Sequence, residues 1–280
     1  YEGCIEALES IRGYLKKQTE KYVIMTDSNI AVNFDFNDLL HAHMASGADA
    51  TVVYRKQEIP EPLLRKSTET VDMYYALGIN GDHVSKIYVN PTEKGEMNFC
   101  MNIYVMEREL LMRMIDDAYV HGYTNFVRDI LDRQIEHLDV RGYCYDGYVA
   151  QIYDMKSYFE ENMKLLQDEN LNALFSGNQI YTKIRDDNPT RYINGSKAKN
   201  VMVADGCVIE GEVENSILFR GVHIGKGAKV KNCVLMQDTV VESGASVEYV
   251  ITDKDVMITE NKSLTGNDSF QVFVAKGQTV

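Results

Sequence analysis

The chain has 280 residues, 45% of them hydrophobic, and a formal net charge of −13, enough length and apolar content for one large domain or a medium one beside a smaller one. The acidic balance, with no Lys/Arg cluster, excludes a nucleic-acid partner, because binding to a phosphate backbone draws on clustered cations that release counterions; small anionic ligands need only a local patch and stay open. No apolar run of about 18 residues and no signal-like leader is present, and Cys4, Cys100, Cys144, Cys207 and Cys233 are scattered without metal-type spacing, so the expectation is a cytoplasmic protein with reduced thiols and no membrane partner.

In chain order, YVIM (22–25), ATVVYR (50–55), KIYV (86–89) and NIYVM (102–106) are Val-, Ile- and Tyr-rich runs of strand length. DLLHAHMASG (38–47) puts Leu39, Leu40, His43 and Met44 on one helical face and ends on Gly47, a C-cap. ERELLMRMIDDAYVHG and FVRDILDRQIEHL carry the same i, i+3, i+4 spacing, and SYFEENMKLLQDENLNALF reads as one more helix. His41 and His43 on such a helix read as ordinary surface or half-buried residues. Strands alternating with helices predict an α/β domain over residues 1–170 with a mainly parallel sheet. Asp27 then follows the C-terminal end of a strand, where open α/β sheets bind ligands; taken alone it is either a turn residue or a site residue.

A polar connector, 171–196, leads into a repeat. ENSILFRGVHIGKGAKV (214–230), KNCVLMQDTVVESGASV (231–247) and EYVITDKDVMITENKS (248–263) align without gaps at a period of 17. Ile217, Val234 and Ile251 share a column, as do Val222, Thr239 and Val256, and Ile224, Val241 and Ile258; CVIEGEV (207–213) fits more loosely against IGKGAKV. Apolar residues every five or six positions, with small residues between, suit a chain that turns a corner after each short strand. Three sides make one coil of a left-handed parallel β-helix over 197–280, stable only as a stack. An ordinary antiparallel β-domain has no need of such a period. The architecture does not fix a function; His223 inside the repeat keeps a β-helix acyltransferase as a distant alternative.

Several segments carry a resemblance to a known family. YEGCIEAL (1–8), YVIMTDSNI, FCMNIYVM and GYVAQIYDMKSYFEENMKLL, followed by VADGCVIEGEVENSILFRGVHIGKGA, resemble in order and spacing the glucose-1-phosphate adenylyltransferases (ADP-glucose pyrophosphorylases). That resemblance implies a nucleotidyltransferase Rossmann-like domain followed by the β-helix. It also implies that the family's opening strand, Gly-rich loop and Arg lie upstream of Tyr1, so that the chain starts inside the domain.

The resemblance places the first of two metal-holding aspartates at Asp27, and magnesium as cofactor if the protein is active. The second aspartate's position is Gln151, a neutral amide. The glycine and histidine flanking the first aspartate are Thr26 and Ser28; the Ser and Gly of the Ser-Met-Gly-Ile-Tyr segment are Cys100 and Asn102; a further glycine is Tyr153. Substrate positions fall on Gly3, Glu93, Lys94 and Asn102, although neither Glu93-Lys94-Gly95 nor Asn90-Pro91 reproduces the family's Glu-Lys-Pro triad. These departures are similar to the regulatory, GlgD-type subunits. The resemblance therefore implies a weakly or non-catalytic subunit of glycogen biosynthesis that assembles with a catalytic paralogue, or as a homo-oligomer, and retains affinity for a nucleotide or sugar phosphate. A competent adenylyltransferase is the alternative.

Overall fold

The computed structural model describes residues 4–64, 74–182 and 186–280. The chain divides into two compact units, Tyr1–Ser28 with Phe34–Gly147, and Asn29–Asn33 with Tyr148–Val280. Up to the middle of the chain the elements are α1 (Cys4–Ser10), α2 (Arg12–Leu15), β1 (Tyr22–Thr26), β2 (Ile30–Val32), α3 (Phe36–Ser46), β3 (Ala50–Gln57), α4 (Glu61–Leu64), β4 (Tyr75–Asn80), β5 (His83–Val89), β6 (Met97–Glu107) and α5 (Arg108–His121). A π-helix (Phe126–Leu131), β7 (Val140–Cys144), β8 (Val149–Gln151), α6 (Met155–Lys164) and α7 (Asp168–Phe175) follow.

The first unit is a six-stranded sheet in the order β1-β6-β3-β7-β5-β4. The α/β class holds, and the sheet is mixed. β3 and β7 are parallel, while β6 runs antiparallel to both β1 and β3. β4 and β5 form a hairpin whose two-residue turn follows the Asn80–His83 pair and puts Gly81 at φ 66, and a turn that short can only join antiparallel strands. Leu111, Met114, Ile115 and Ala118 of α5 pack with Val52, Tyr104 and Met106 in a single core.

Local chemistry explains where the helices differ from their sequence reading. Asp35 caps α3, its carboxylate accepting the backbone N–H of Asn37 at 2.8 Å, and Gly47 closes it at φ 66. The face that α3 buries is Leu39 and His43; Met44 is 53% exposed. His43 is no surface residue, being 2% exposed. FVRDILDRQIEHL gives a π-helix over its first six residues instead of an α-helix. There Asp129 takes the N–H groups of Thr124 and Asn125 together with the Arg128 guanidinium, and Asn125 Oδ1 takes the N–H of Arg128, so side chains compete with the regular backbone ladder. The expected single helix over 157–175 is two, α6 and α7, separated at Leu165–Gln167.

The second unit holds the β2–β8 pair and α6, together with a solenoid of parallel strands. Its first face carries β9 (Arg191–Tyr192), β11 (Val208–Ile209), β13 (His223–Ile224), β16 (Val240–Val241) and β19 (Met257–Ile258) in one ladder. The other two faces are built from β10 (Lys197–Val203) and β12 (Glu212–Leu218), each spanning a corner, and then from β14 (Lys229–Lys231), β15 (Val234–Leu235), β17 (Ser246–Glu248), β18 (Val250–Thr252), β20 (Ser263–Thr265) and β21 (Val272–Val274).

Ile209, Ile224, Val241 and Ile258 stack as one inward row, all 0% exposed. The Ile217–Val234–Ile251 column points the other way, since neighbouring strand residues alternate faces: Leu218 and Leu235 enter the solenoid interior, whereas Val234 and Ile251 pack with Phe159 of α6.

The period of 17 holds from Val213 to Thr265, with Val213 against Val230 and Val230 against Val247, and widens to 22 in the last coil, where Ile251 lies against Phe273. One step is shorter. Val208 lies against His223 and Ile209 against Ile224, a step of 15, although Glu212 lies against Lys229 at 17. The loose match of 207–213 to 224–230 is thus two registers, with two residues absent at the Glu210–Gly211 corner. Gly211 makes that corner possible: a Cβ there would sit 2.4 Å from the carbonyl oxygen of Ala228 and 2.8 Å from that of Gly225. The remaining corners use left-handed residues in columns, among them Asn215, Asn232 and Tyr249, then Gly221, Asp238 and Asp255, then Gly227, Gly244 and Asn261. These are mostly residue types that tolerate positive φ.

Candidate functional site

Asp27 stands directly after β1, whose last residue, Thr26, pairs with Ile103 of β6. Opposite it β6 bulges. Val53 of β3 faces Ile103 and the next residue, Tyr54, faces Cys100, so Met101 and Asn102 are extra on the β6 side. Asn102 takes φ 54 in this bulge, a conformation that glycine enters freely and asparagine with little penalty. The backbone therefore keeps the shape that a glycine would give it, and a side chain is added.

That side chain reaches Asp27. The Asn102 amide donates to Asp27 Oδ2 at 2.6 Å. Its orientation is fixed from the other end, because Asn102 Oδ1 accepts the Tyr104 hydroxyl at 2.9 Å, which leaves the NH2 end for the carboxylate. The Asn102 backbone N–H points at Cys100 Sγ, 3.4 Å away, and Cys100 Sγ lies 3.5 Å from the Tyr104 hydroxyl. Burial pushes the Cys100 thiol up to about 11 and the Tyr104 phenol well above its ordinary value, with Asp27 adding to both, so both stay protonated and neutral at pH 7. Beside them the Tyr75 hydroxyl donates to Asn125 Oδ1 at 2.9 Å, and burial raises Tyr75 to about 12.

Among the described residues, the groups beside Asp27 do not form a set that fits magnesium. A hard dication wants several oxygen lone pairs, preferably anionic, directed at it. Around Asp27 the groups are one carboxylate already accepting an amide N–H, a thiol and phenols, and among the described residues no three His, Cys, Asp or Glu side chains are placed to hold a metal ion.

The other sequence candidates lie elsewhere. Gly3 is outside the described residues. Glu93 and Lys94 are exposed in the loop between β5 and β6. Asn90-Pro91, the alternative register, holds the chain: Asn90 Oδ1 accepts the Tyr74 N–H at 3.0 Å, and the Tyr74 hydroxyl donates to the Pro91 carbonyl at 2.7 Å. Gln151 belongs to the second unit, on β8 opposite Ile30. His223 Nε2 lies 3.1 Å from Glu210 Oε1 on the solenoid.

Sequence reasoning singled out Asp27, Cys100 and Asn102 but missed Tyr104, Tyr75 and Asn125. A signal for Tyr104 was present. Cys100, Asn102 and Tyr104 alternate in the otherwise apolar FCMNIYVM, the period that puts polar groups on one side of a strand.

Comparison with known proteins gives this geometry a lineage. Residues 184–271 match the family described as GlmU-like, C-terminal hexapeptide. The "Glycogen biosynthesis protein GlgD" of Bacillus subtilis (strain 168) is 33% identical over 265 residues, 94% of this chain and 65% of that protein. Over these spans the chain is similar to GlgD and to the glucose-1-phosphate adenylyltransferases. The "Glucose-1-phosphate adenylyltransferase" of Geobacillus stearothermophilus is 28% identical over 82% of the chain and 59% of its own length, and that organism's GlgD is 30% identical over 81% and 54%. The chain thus spans between about half and two thirds of the length of these GlgD and adenylyltransferase relatives.

Proposed function

We propose that the chain is a regulatory, weakly or non-catalytic subunit of glucose-1-phosphate adenylyltransferase, the activity that joins ATP and glucose 1-phosphate to give ADP-glucose and diphosphate in glycogen biosynthesis. The observation that carries the reading is the amide of Asn102 on Asp27. Nucleotidyl transfer asks the protein for positioning and for neutralisation of phosphate charge. A carboxylate with one oxygen held by a neutral amide supplies little of either. Magnesium belongs to this reading only for an active enzyme.

The rest of the molecule supports an assembly role. The solenoid is fully formed, with an interior of stacked Ile and Val, and the sheet of the first unit retains a continuous core. The partner assigned is a catalytic paralogous subunit in the cytoplasm, with a homo-oligomer as the other assembly; a nucleotide or sugar phosphate is bound without turnover. Among the described residues no helix is long and apolar enough to cross a membrane.

The test is to prepare the encoded protein, with whatever precedes Tyr1, alone and mixed with a catalytic paralogue, and to measure ADP-glucose formation. The expected result is no appreciable product alone and, in the mixture, a raised rate or altered effector response. Full turnover by the homomeric protein would refute the reading and favour a competent adenylyltransferase.

A further inference from the structure

At φ 54 in the bulge of β6, Asn102 sits where a side chain has few ways to go. Its amide turns onto Asp27 Oδ2 at 2.6 Å and is locked there by the Tyr104 hydroxyl at 2.9 Å. Tyr104 is itself 5% exposed and cannot easily swing away. A hydrogen-bond donor therefore occupies one carboxylate oxygen of Asp27, and a short amide–carboxylate bond partly offsets the charge that would attract a cation to it.

We propose that Asn102 is a built-in plug, whose side-chain amide holds Asp27 in place of a divalent cation and keeps such cations off this end of the sheet. The inference rests on the reading of the chain as a subunit without turnover of its own, and adds how the site is kept closed. It locates the block in one side chain. Asn102→Asp is the sharpest perturbation: Asp is nearly isosteric, tolerates positive φ, and still lets the Tyr104 hydroxyl donate to Oδ1. It replaces the amide N–H by a second carboxylate oxygen facing Asp27, and two carboxylates at that separation are relieved by a dication.

Manganese(II) is the probe, its free concentration followed by electron paramagnetic resonance, with magnesium as competitor. The full encoded protein is compared with Asp27→Asn, Asn102→Asp and the double variant. The expected result is equal Mn2+ uptake by wild type and Asp27→Asn, and one extra equivalent per chain in Asn102→Asp, bound at least tenfold more tightly than the residual sites and lost in the double variant. Wild-type Mn2+ uptake that disappears in Asp27→Asn would overturn the plug, as would a folded Asn102→Asp with no gain. If Asn102→Asp does not fold, Asn102→Gly, which fits the left-handed backbone and removes the amide without adding an oxygen, carries the test through a weaker gain: Mn2+ uptake above wild type that is lost when Asp27→Asn is added supports the plug, and no gain overturns it. Stimulation of a catalytic paralogue is read separately. Asp27-dependent metal binding in a wild type that still stimulates sinks the plug and leaves the subunit reading standing, and a plugged site in a protein with full turnover of its own does the reverse.

Discussion

Acidification should weaken the first unit through one imidazole. His43 is 2% exposed on α3, with Nδ1 2.8 Å from the Thr51 hydroxyl and its ring edge-on to Tyr22 at 5.4 Å. Burial pulls its pKa below the ordinary histidine value; the charges of Glu107 and Asp49 oppose this and Lys21 adds to it. The unfolded chain titrates near ~6.5, so on acidification the unfolded state takes up the proton first. Stability from this residue is fully present above that pH and is lost as the pH falls toward the folded pKa. One-proton linkage gives at most about 1.4 kcal/mol per pH unit, and about 1.3 kcal/mol between pH 7 and 5.5 if the folded imidazole stays neutral throughout. His43→Gln keeps a polar partner for Thr51 and does not titrate. Urea unfolding of both proteins at pH 7 and 5.5 yields a difference of differences in which exposed histidines and carboxylates cancel. The variant should be less sensitive to acid by up to that amount. A difference unchanged within about 0.3 kcal/mol would refute a buried neutral His43.

Other outcomes follow from the packing. Ile224→Ala, in the fully buried inward row, should cost about 2–5 kcal/mol and Ile224→Val about 0.5–1.5 kcal/mol, measured as the shift of the solenoid's denaturant midpoint. Gly211→Ala drives a Cβ into two backbone carbonyls, whereas Gly227→Ala meets nothing within 4 Å and carries only its φ of 72; thermal melts should show Gly211→Ala to be the more damaging of the two. Phe159→Ala and Val234→Ala touch one apolar cluster, and a double-mutant cycle should return a coupling of about 0.5–3 kcal/mol, with strict additivity ruling out that contact.

What could be read from the sequence was whatever repeats or punctuates. Columns such as Ile224–Val241–Ile258 announced stacked coils because each coil sets the same steric problem, and Gly47 marked the end of α3 by its backbone freedom. The short step at Gly211 stayed hidden, since two missing residues at a corner shift the register without disturbing the apolar spacing on either side. His43, on the helical face with Leu39, read as surface or half-buried; only the strand carrying Thr51 supplies the hydrogen bond that lets it be fully buried. The same limit applied at the site. Asn102 was visible as a departure from a glycine, but that its amide points at Asp27 depends on a bulge that local sequence does not specify.

The solenoid's bookkeeping in whole turns has an evolutionary side. Val213, Val230 and Val247 succeed one another in register, so loss or duplication of one block such as 231–247 leaves valine facing valine and merely shortens or lengthens the stack by one rung, about 4.8 Å. Heredity can thus retune the height at which any surface on the stack is presented in fixed increments, without redesigning the interior.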